Sequence, residues 1–177
     1  MPATTTTIFE RMSRLAQDLG AINLGQGFPD LPEPAELLDA AARAVRERSN
    51  QYPPMRGLFE LRRAIAAYYA REQGLDLNED EIIVTSGATE ALAAAFLAFV
   101  QPGDEVILIQ PLYDAYLPLV RRAGGTARLI ELTPPEWTLR IEAVEAAITR
   151  HTRMIVLNMP NNPAGTVVDV ARLAALG

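Results

Sequence analysis

The sequence contains no cysteine, and this excludes disulfides, a thiolate nucleophile and any thiolate metal site. Histidine occurs once, at His151, so a multi-histidine metal centre is excluded as well, and no metal site is expected. All 16 basic residues are arginine, and the absence of lysine leaves no side-chain primary amine to attack a carbonyl. No apolar run approaches the ~20 residues of a membrane span. The start, MPATTTTIFERMSR, lacks the basic end and apolar centre of a secretory signal, so a cytoplasmic protein is expected. Net charge is −6 with acidic and basic residues interspersed, which weighs against nucleic acid or an anionic membrane as partner.

What is present is ordinary for a globular chain. With 177 residues, 49% of them hydrophobic, the chain has the length of one domain or part of a larger one. Its most informative stretch runs from Glu81 to Val100, EIIVTSGATEALAAAFLAFV. The β-branched run Ile82–Thr85 predicts a strand, Ser86–Thr89 a tight turn, and the alanine- and leucine-rich remainder a helix. The first amides of a helix lack intrahelical acceptors and carry the positive end of its dipole, so small residues here leave N–H groups open to an anion such as phosphate. The same residues also suit an ordinary strand-to-helix turn with Thr89 as N-cap.

The remaining periodicities alternate helix and strand. Thr7 to Glu10 matches a capping box, followed by Phe9, Met12, Leu15, Ala16 and Leu19 at helical spacing as far as Gly20. Pro34 suits the first turn of a helix reaching about Arg48, with Leu37, Leu38, Ala41, Ala44 and Val45 as its buried stripe. After the polar break Ser49–Gly57, Leu58, Leu61, Ile65 and Tyr68 define one face of a helix stopped by Gly74. Strands are predicted at Glu105–Ile109, Thr126–Leu132 and Arg153–Leu157, separated by a helix within PLYDAYLPLVRRAGG and another at Ile141–Ile148, with a last helix beginning near Val168. Such alternation implies a three-layer α/β/α fold with a mainly parallel sheet. The last strand runs into Asn158–Gly165, NMPNNPAG, at the position where α/β proteins place ligands. Its amides can donate to a phenolate or carbonyl, or can form an Asx turn. His151 reads as a surface loop residue.

Taken together, INLGQGFPD (Ile22–Asp30), QYPPMRG with LFELR (Gln51–Arg62), TSGATEAL (Thr85–Leu92), PLYDAY (Pro111–Tyr116) and NMPNNPAG (Asn158–Gly165) resemble the fold-type I aminotransferases that use pyridoxal 5'-phosphate. The GQGFPD form is most similar to the branch of kynurenine, glutamine and methionine aminotransferases and cysteine-conjugate β-lyases. The resemblance implies that Gly87, Ala88 and Thr89 wrap the cofactor phosphate, Tyr113 stacks on the pyridine ring, and Asn162 donates to the ring's phenolate oxygen. It implies also that Tyr52 reaches the phosphate of a neighbouring subunit, giving a homodimer with shared active sites, and that the Gly27 backbone lies beside the substrate carboxylate. Residues 1–38 are expected to be an N-terminal arm and the first part of a small domain, and 39–177 the beginning of the cofactor-binding large domain.

The Schiff-base lysine and the carboxylate-clamping arginine of that family have no counterpart here, so the sequence is expected to cover its N-terminal half and to lack a catalytic residue. The activity implied is transfer of an amino group between an amino acid and a 2-oxo acid. The alternatives are β-elimination on the same scaffold and a non-catalytic cofactor-binding remnant.

Overall fold

The computed structural model describes residues 7–27, 31–174 and 176. The Phe28–Asp30 part of the INLGQGFPD stretch lies outside the described residues. The chain divides into two compact units, Met1–Tyr52 and Pro53–Gly177.

The first unit carries two helices, α1 (Ile8–Leu19) and α2 (Ala35–Glu47). Thr7 caps α1 by accepting the Glu10 N–H at 3.2 Å. The Glu10 carboxylate turns instead toward Arg14, 3.7 Å away, so only half of the predicted capping box is in place. Gly20 ends the helix in the left-handed conformation, and Ala21 N–H closes back on the Ala16 carbonyl at 2.8 Å. The stripe of α2 predicted to be buried is exposed at Leu37, Leu38 and Val45.

The second unit is built on a three-stranded parallel sheet of order β2-β1-β3, with β1 at Glu105–Gln110, β2 at Thr126–Glu131 and β3 at Thr152–Val156. β1 is central, and Val106, Ile107 and Leu108 are completely buried because both of its faces are covered. Over one face lie α4 (Gly87–Phe99) and α5 (Tyr116–Arg122), where Phe96, Val100, Tyr116 and Val120 pack with Val106 and Leu108. Over the other lies α6 (Ile141–Ala147), where Val144 and Leu139 pack with Ile107, Ile109 and Ile130. These are the three layers expected from the alternating pattern. α3 (Phe59–Gln73) and a 3-10 turn (Glu79–Glu81) precede α4, and α7 (Val170–Ala174) follows β3.

Two expectations fail in this unit. Ile82–Thr85 is not a strand: its backbone is extended at Ile82, but its tie to another segment is a single bond, Val84 N–H to the Arg56 carbonyl at 3.1 Å, and a strand requires a ladder. The predicted apolar face of α3 is also largely open to solvent, at Leu58, Leu61 and Tyr68. The buried residue of that helix is Arg62.

Candidate functional site

The tight turn Gln101–Asp104, closed by Asp104 N–H on the Gln101 carbonyl at 3.0 Å, reverses the chain between α4 and β1. α4 therefore runs back along β1, and its first turn lies toward the carboxyl end of the strand. The helix begins at Gly87 with Ser86 as N-cap, so Thr89 is not the cap but the third helical residue. Gly87 has φ 76, while a Cβ built there would meet nothing within 4 Å. Glycine is therefore required at this position by the backbone angle and not by crowding.

The amides of this turn divide into two kinds. Ser86 N–H donates to the Glu90 carboxylate, and Gly87 N–H folds back on the Thr85 carbonyl at 2.9 Å. With Ser86 at φ −75, ψ 72, that second bond closes an inverse γ-turn. Ala88 and Thr89 are exposed, at helix positions whose amides precede the first intrahelical acceptor. The turn thus fixes its own entry with these two bonds and a third, from the Thr85 hydroxyl to the Gly87 carbonyl at 3.0 Å, while Ala88 and Thr89 stay exposed.

Tyr113 follows β1 and precedes α5, which starts only at Tyr116. It is half-buried against the core cluster that includes Phe96 of α4, and meets Tyr116 edge to face, with centroids 5.7 Å apart and planes at 73°. Burial raises the Tyr116 phenol above its usual value, and the neighbouring Tyr113 adds to the effect.

At the carboxyl end of β3 the two adjacent asparagines differ. Asn161 is buried, and its Oδ1 accepts the Ala164 N–H at 3.0 Å. Its main-chain N–H donates to the Thr166 carbonyl, and its carbonyl accepts from Gly165 N–H, both at 2.7 Å. Asn162 is exposed, carried outward on the loop that Asn161 closes. Asn161 thus closes its own loop in the manner of an Asx turn, though onto the amide three residues on and not two, and Asn162 is exposed beside it. The structural partner, Asn161, was not singled out from the sequence, although two consecutive asparagines between prolines were a sufficient signal that one of them would hold the loop.

The strand order gives these loops a common location. From central β1 the chain goes to β2 on one side and then, by way of α6 on the opposite face, to β3 on the other. The crevice outside the carboxyl ends of β1 and β3 is therefore a topological switch point, where open α/β sheets bind ligands. Paired strands lie about 4.8 Å apart, so the Tyr113 and Asn158–Asn162 segments leave the sheet side by side. A cleft of about 370 Å³ lined by Gln110, Pro111, Glu131, Thr133 and Trp137 opens at the carboxyl ends of β1 and β2, on the other side of β1 from β3. In the first unit, Gly27 and Tyr52 are exposed. Among the described residues no cluster of three or more potential metal ligands occurs, and no helix is long and apolar enough to cross a membrane.

Comparison with known proteins places this parallel α/β sheet and its loops in a definite family. The chain is a member of aminotransferase class I and II, whose family model matches residues 20–177. Enzymes of this class generally depend on pyridoxal phosphate. Over 174 residues the chain is 48% identical to a probable N-succinyldiaminopimelate aminotransferase, DapC, of Mycobacterium tuberculosis, covering 97% of this chain and 44% of that protein. It is 45% identical to the methionine aminotransferase of Escherichia coli over 177 residues, 99% of this chain and 46% of that one. The crystal structure of Escherichia coli YbdL, described as having a methionine aminotransferase function, superposes with a TM-score of 0.92 over 99% of this chain and 46% of its own. A Thermus thermophilus aspartate aminotransferase with maleate gives 0.89 at 36% identity, over 98% of this chain and 47% of its own. The chain spans about half the length of these relatives.

Proposed function

We propose that this chain provides the phosphate, ring-face and phenolate-side contacts for pyridoxal phosphate in an enzyme that exchanges an amino group between an amino acid and a 2-oxo acid. The reading is supported by the open first turn of α4, the half-buried Tyr113 just after β1 and the exposed Asn162 just after β3, the last two following the carboxyl ends of neighbouring strands. This donor set suits the cofactor's chemistry. A dianionic phosphate needs N–H donors at a helix N-terminus, a flat ring needs an aromatic face, and a phenolate oxygen needs an amide donor. When bound, the cofactor supplies an electron sink for the bonds at the substrate's α-carbon.

The chain's own residues bind and orient. Ala88 and Thr89 donate main-chain hydrogen bonds to the phosphate, the Thr89 hydroxyl adds another, and Gly87 sets the backbone angle from which they project. Tyr113 limits tilt of the ring and excludes water from one face of it. Asn162 donates to the phenolate oxygen and holds negative charge there. Gly27 main chain is assigned to the substrate carboxylate, and Tyr52 to the phosphate held by a second copy in a homodimer. Residues 1–38 form the arm and the start of a small domain, and 39–177 belong to the large domain.

The chain by itself is expected to bind the cofactor without attaching it covalently, because it contains no lysine. Arginine does not replace lysine, since its guanidinium stays protonated. Equilibrium dialysis of the purified chain with pyridoxal phosphate should give saturable binding that Gly87→Val abolishes, and borohydride treatment should leave no cofactor on any side chain. Wild-type and Gly87→Val chains with equal affinity would refute the phosphate assignment. Amino-group exchange catalysed by the purified chain would refute the lysine argument.

A further inference from the structure

Residues 82–85 make no ladder, so a contact other than sheet pairing determines where α4 begins. That contact is a knot between the start of α3 and the 3-10 turn. Arg62 is about nine-tenths buried; its Nη1 donates to the Glu79 carbonyl at 2.6 Å and meets Asp80 Oδ1 at 3.2 Å. Its guanidinium also lies over the Phe59 ring, 5.9 Å from the centroid. Asp80 is itself held, since its N–H donates to Asn78 Oδ1 at 2.8 Å and Glu81 returns a carboxylate to the Asn78 N–H at 2.8 Å.

Arg56 closes the knot from the other side. Its guanidinium reaches Asp80 at 3.4 Å, while its carbonyl accepts the Val84 N–H at 3.1 Å. Next to it, Gly57 presses so closely on Val84 that a Cβ would lie 2.5 Å from Val84 Cγ2. Residues 56–62 thus grip 79–84 by ion pair, main-chain bond and direct contact, and Val84 stands three positions before Gly87.

We propose that Arg62 is a positioning residue for the phosphate turn: by clamping Glu79–Val84 onto α3 it sets where Gly87, Ala88 and Thr89 stand. The functional part of this inference rests on the reading of that turn given under Proposed function; the mechanical part does not. Arginine suits the task because Nη1 serves both the carbonyl and the carboxylate while the rigid guanidinium plane rests over the Phe59 ring, whereas an ammonium is a point charge on a flexible stem without that plane.

The test uses the full chain and Arg62→Lys, with native-state hydrogen exchange and equilibrium dialysis of pyridoxal phosphate measured side by side. Protection of the Val84 amide should fall about tenfold, the size of one charge-assisted hydrogen bond, and cofactor affinity by a similar factor. Protection at Val106–Leu108 should be kept. Ile107→Val, a core change remote from the knot, controls for general loosening and should spare Val84 relative to β1. Unchanged Val84 protection in Arg62→Lys, or an equal loss in both variants, overturns the inference, as does lost protection with unaltered affinity. Should Arg62→Lys not fold, Asp80→Asn, on an exposed side chain, replaces it: a several-fold loss at Val84 supports the knot, and no loss overturns it. If the wild-type chain binds no cofactor, the functional reading fails, while the exchange data still decide whether Arg62 holds Val84.

Discussion

Replacing Asn161 with alanine removes a side chain that is 6% exposed and has one clear task, accepting the Ala164 N–H at 3.0 Å. A neutral hydrogen bond of this kind contributes about 1 kcal/mol net, and a main-chain donor left without an acceptor in a partly buried loop adds a penalty, giving about 1–3 kcal/mol in all. For a chain of this length that corresponds to roughly 2–4 °C in Tm per kcal/mol. Asn162→Ala changes an exposed residue with no hydrogen bond from its side chain among the described residues, so its effect on stability should stay within about 0.5 kcal/mol. Urea unfolding followed by the fluorescence of Trp137, the single tryptophan, which packs on the β2 and α6 side of the core, measures both variants. Cofactor dialysis should then reverse the order, with Asn162→Ala losing affinity at full stability. If Asn162→Ala were the more destabilising of the two, the division into a loop-holding and a ligand-facing asparagine would be wrong.

Tyr113→Phe should keep cofactor binding and Tyr113→Ala should weaken it by roughly two- to tenfold, the value of an aromatic contact of about 0.5–1.5 kcal/mol; equal behaviour of the two variants in a binding titration would rule out stacking. Glu105 has its carboxyl held below the ordinary range, first by the hydrogen bond from Arg128 at 2.7 Å and then by the Thr149 hydroxyl. With the folded value depressed, its contribution is present above the unfolded carboxylate pKa and is lost as pH falls through the folded value. The stability gap between wild type and Glu105→Gln should therefore be constant from neutral to mildly acidic pH and close in strong acid; urea midpoints across that range would contradict this if the gap widened. For Tyr52, mixing a Tyr52→Ala form of a complete enzyme with one disabled at Gly87 should restore activity in the heterodimer. No recovery, with heterodimers demonstrated, would exclude a role in trans.

The sheet was legible because β1, β2 and β3 are short β-branched runs between strong turn signals, and their predicted bounds lie within a residue of the observed ones. Ile82–Thr85 carries the same composition and is not a strand, since composition reports a suitable side-chain surface while a strand also needs a neighbour with free amides and carbonyls. The apolar stripes of α2 and α3 were read correctly as stripes, but periodicity says only that a face seeks cover and not what covers it. The Arg62 knot was invisible for a related reason. Its partners are a carbonyl of Glu79 and an exposed carboxylate of Asp80, and neither leaves a pattern in sequence. The family motifs marked the loops around the crevice, and two asparagines between prolines signalled that one of them holds its loop; which one does so, and the roles of Glu90 and Ser86, emerged only with coordinates.

The two edges of the β2-β1-β3 sheet are unequal. β2 ends the sheet with Arg128 and Glu131 in its outermost row, and Arg128 is drawn into an ion pair with Glu105 that keeps a charge at that border. β3 presents Thr152, Arg153, Met154, Ile155 and Val156, and its one charged group is pulled aside to the Phe99 carbonyl at 3.0 Å. Charged residues at a border discourage another strand from docking, and an uncharged, β-branched border invites it. Among the described residues, the β3 border is therefore the one less guarded against a further strand.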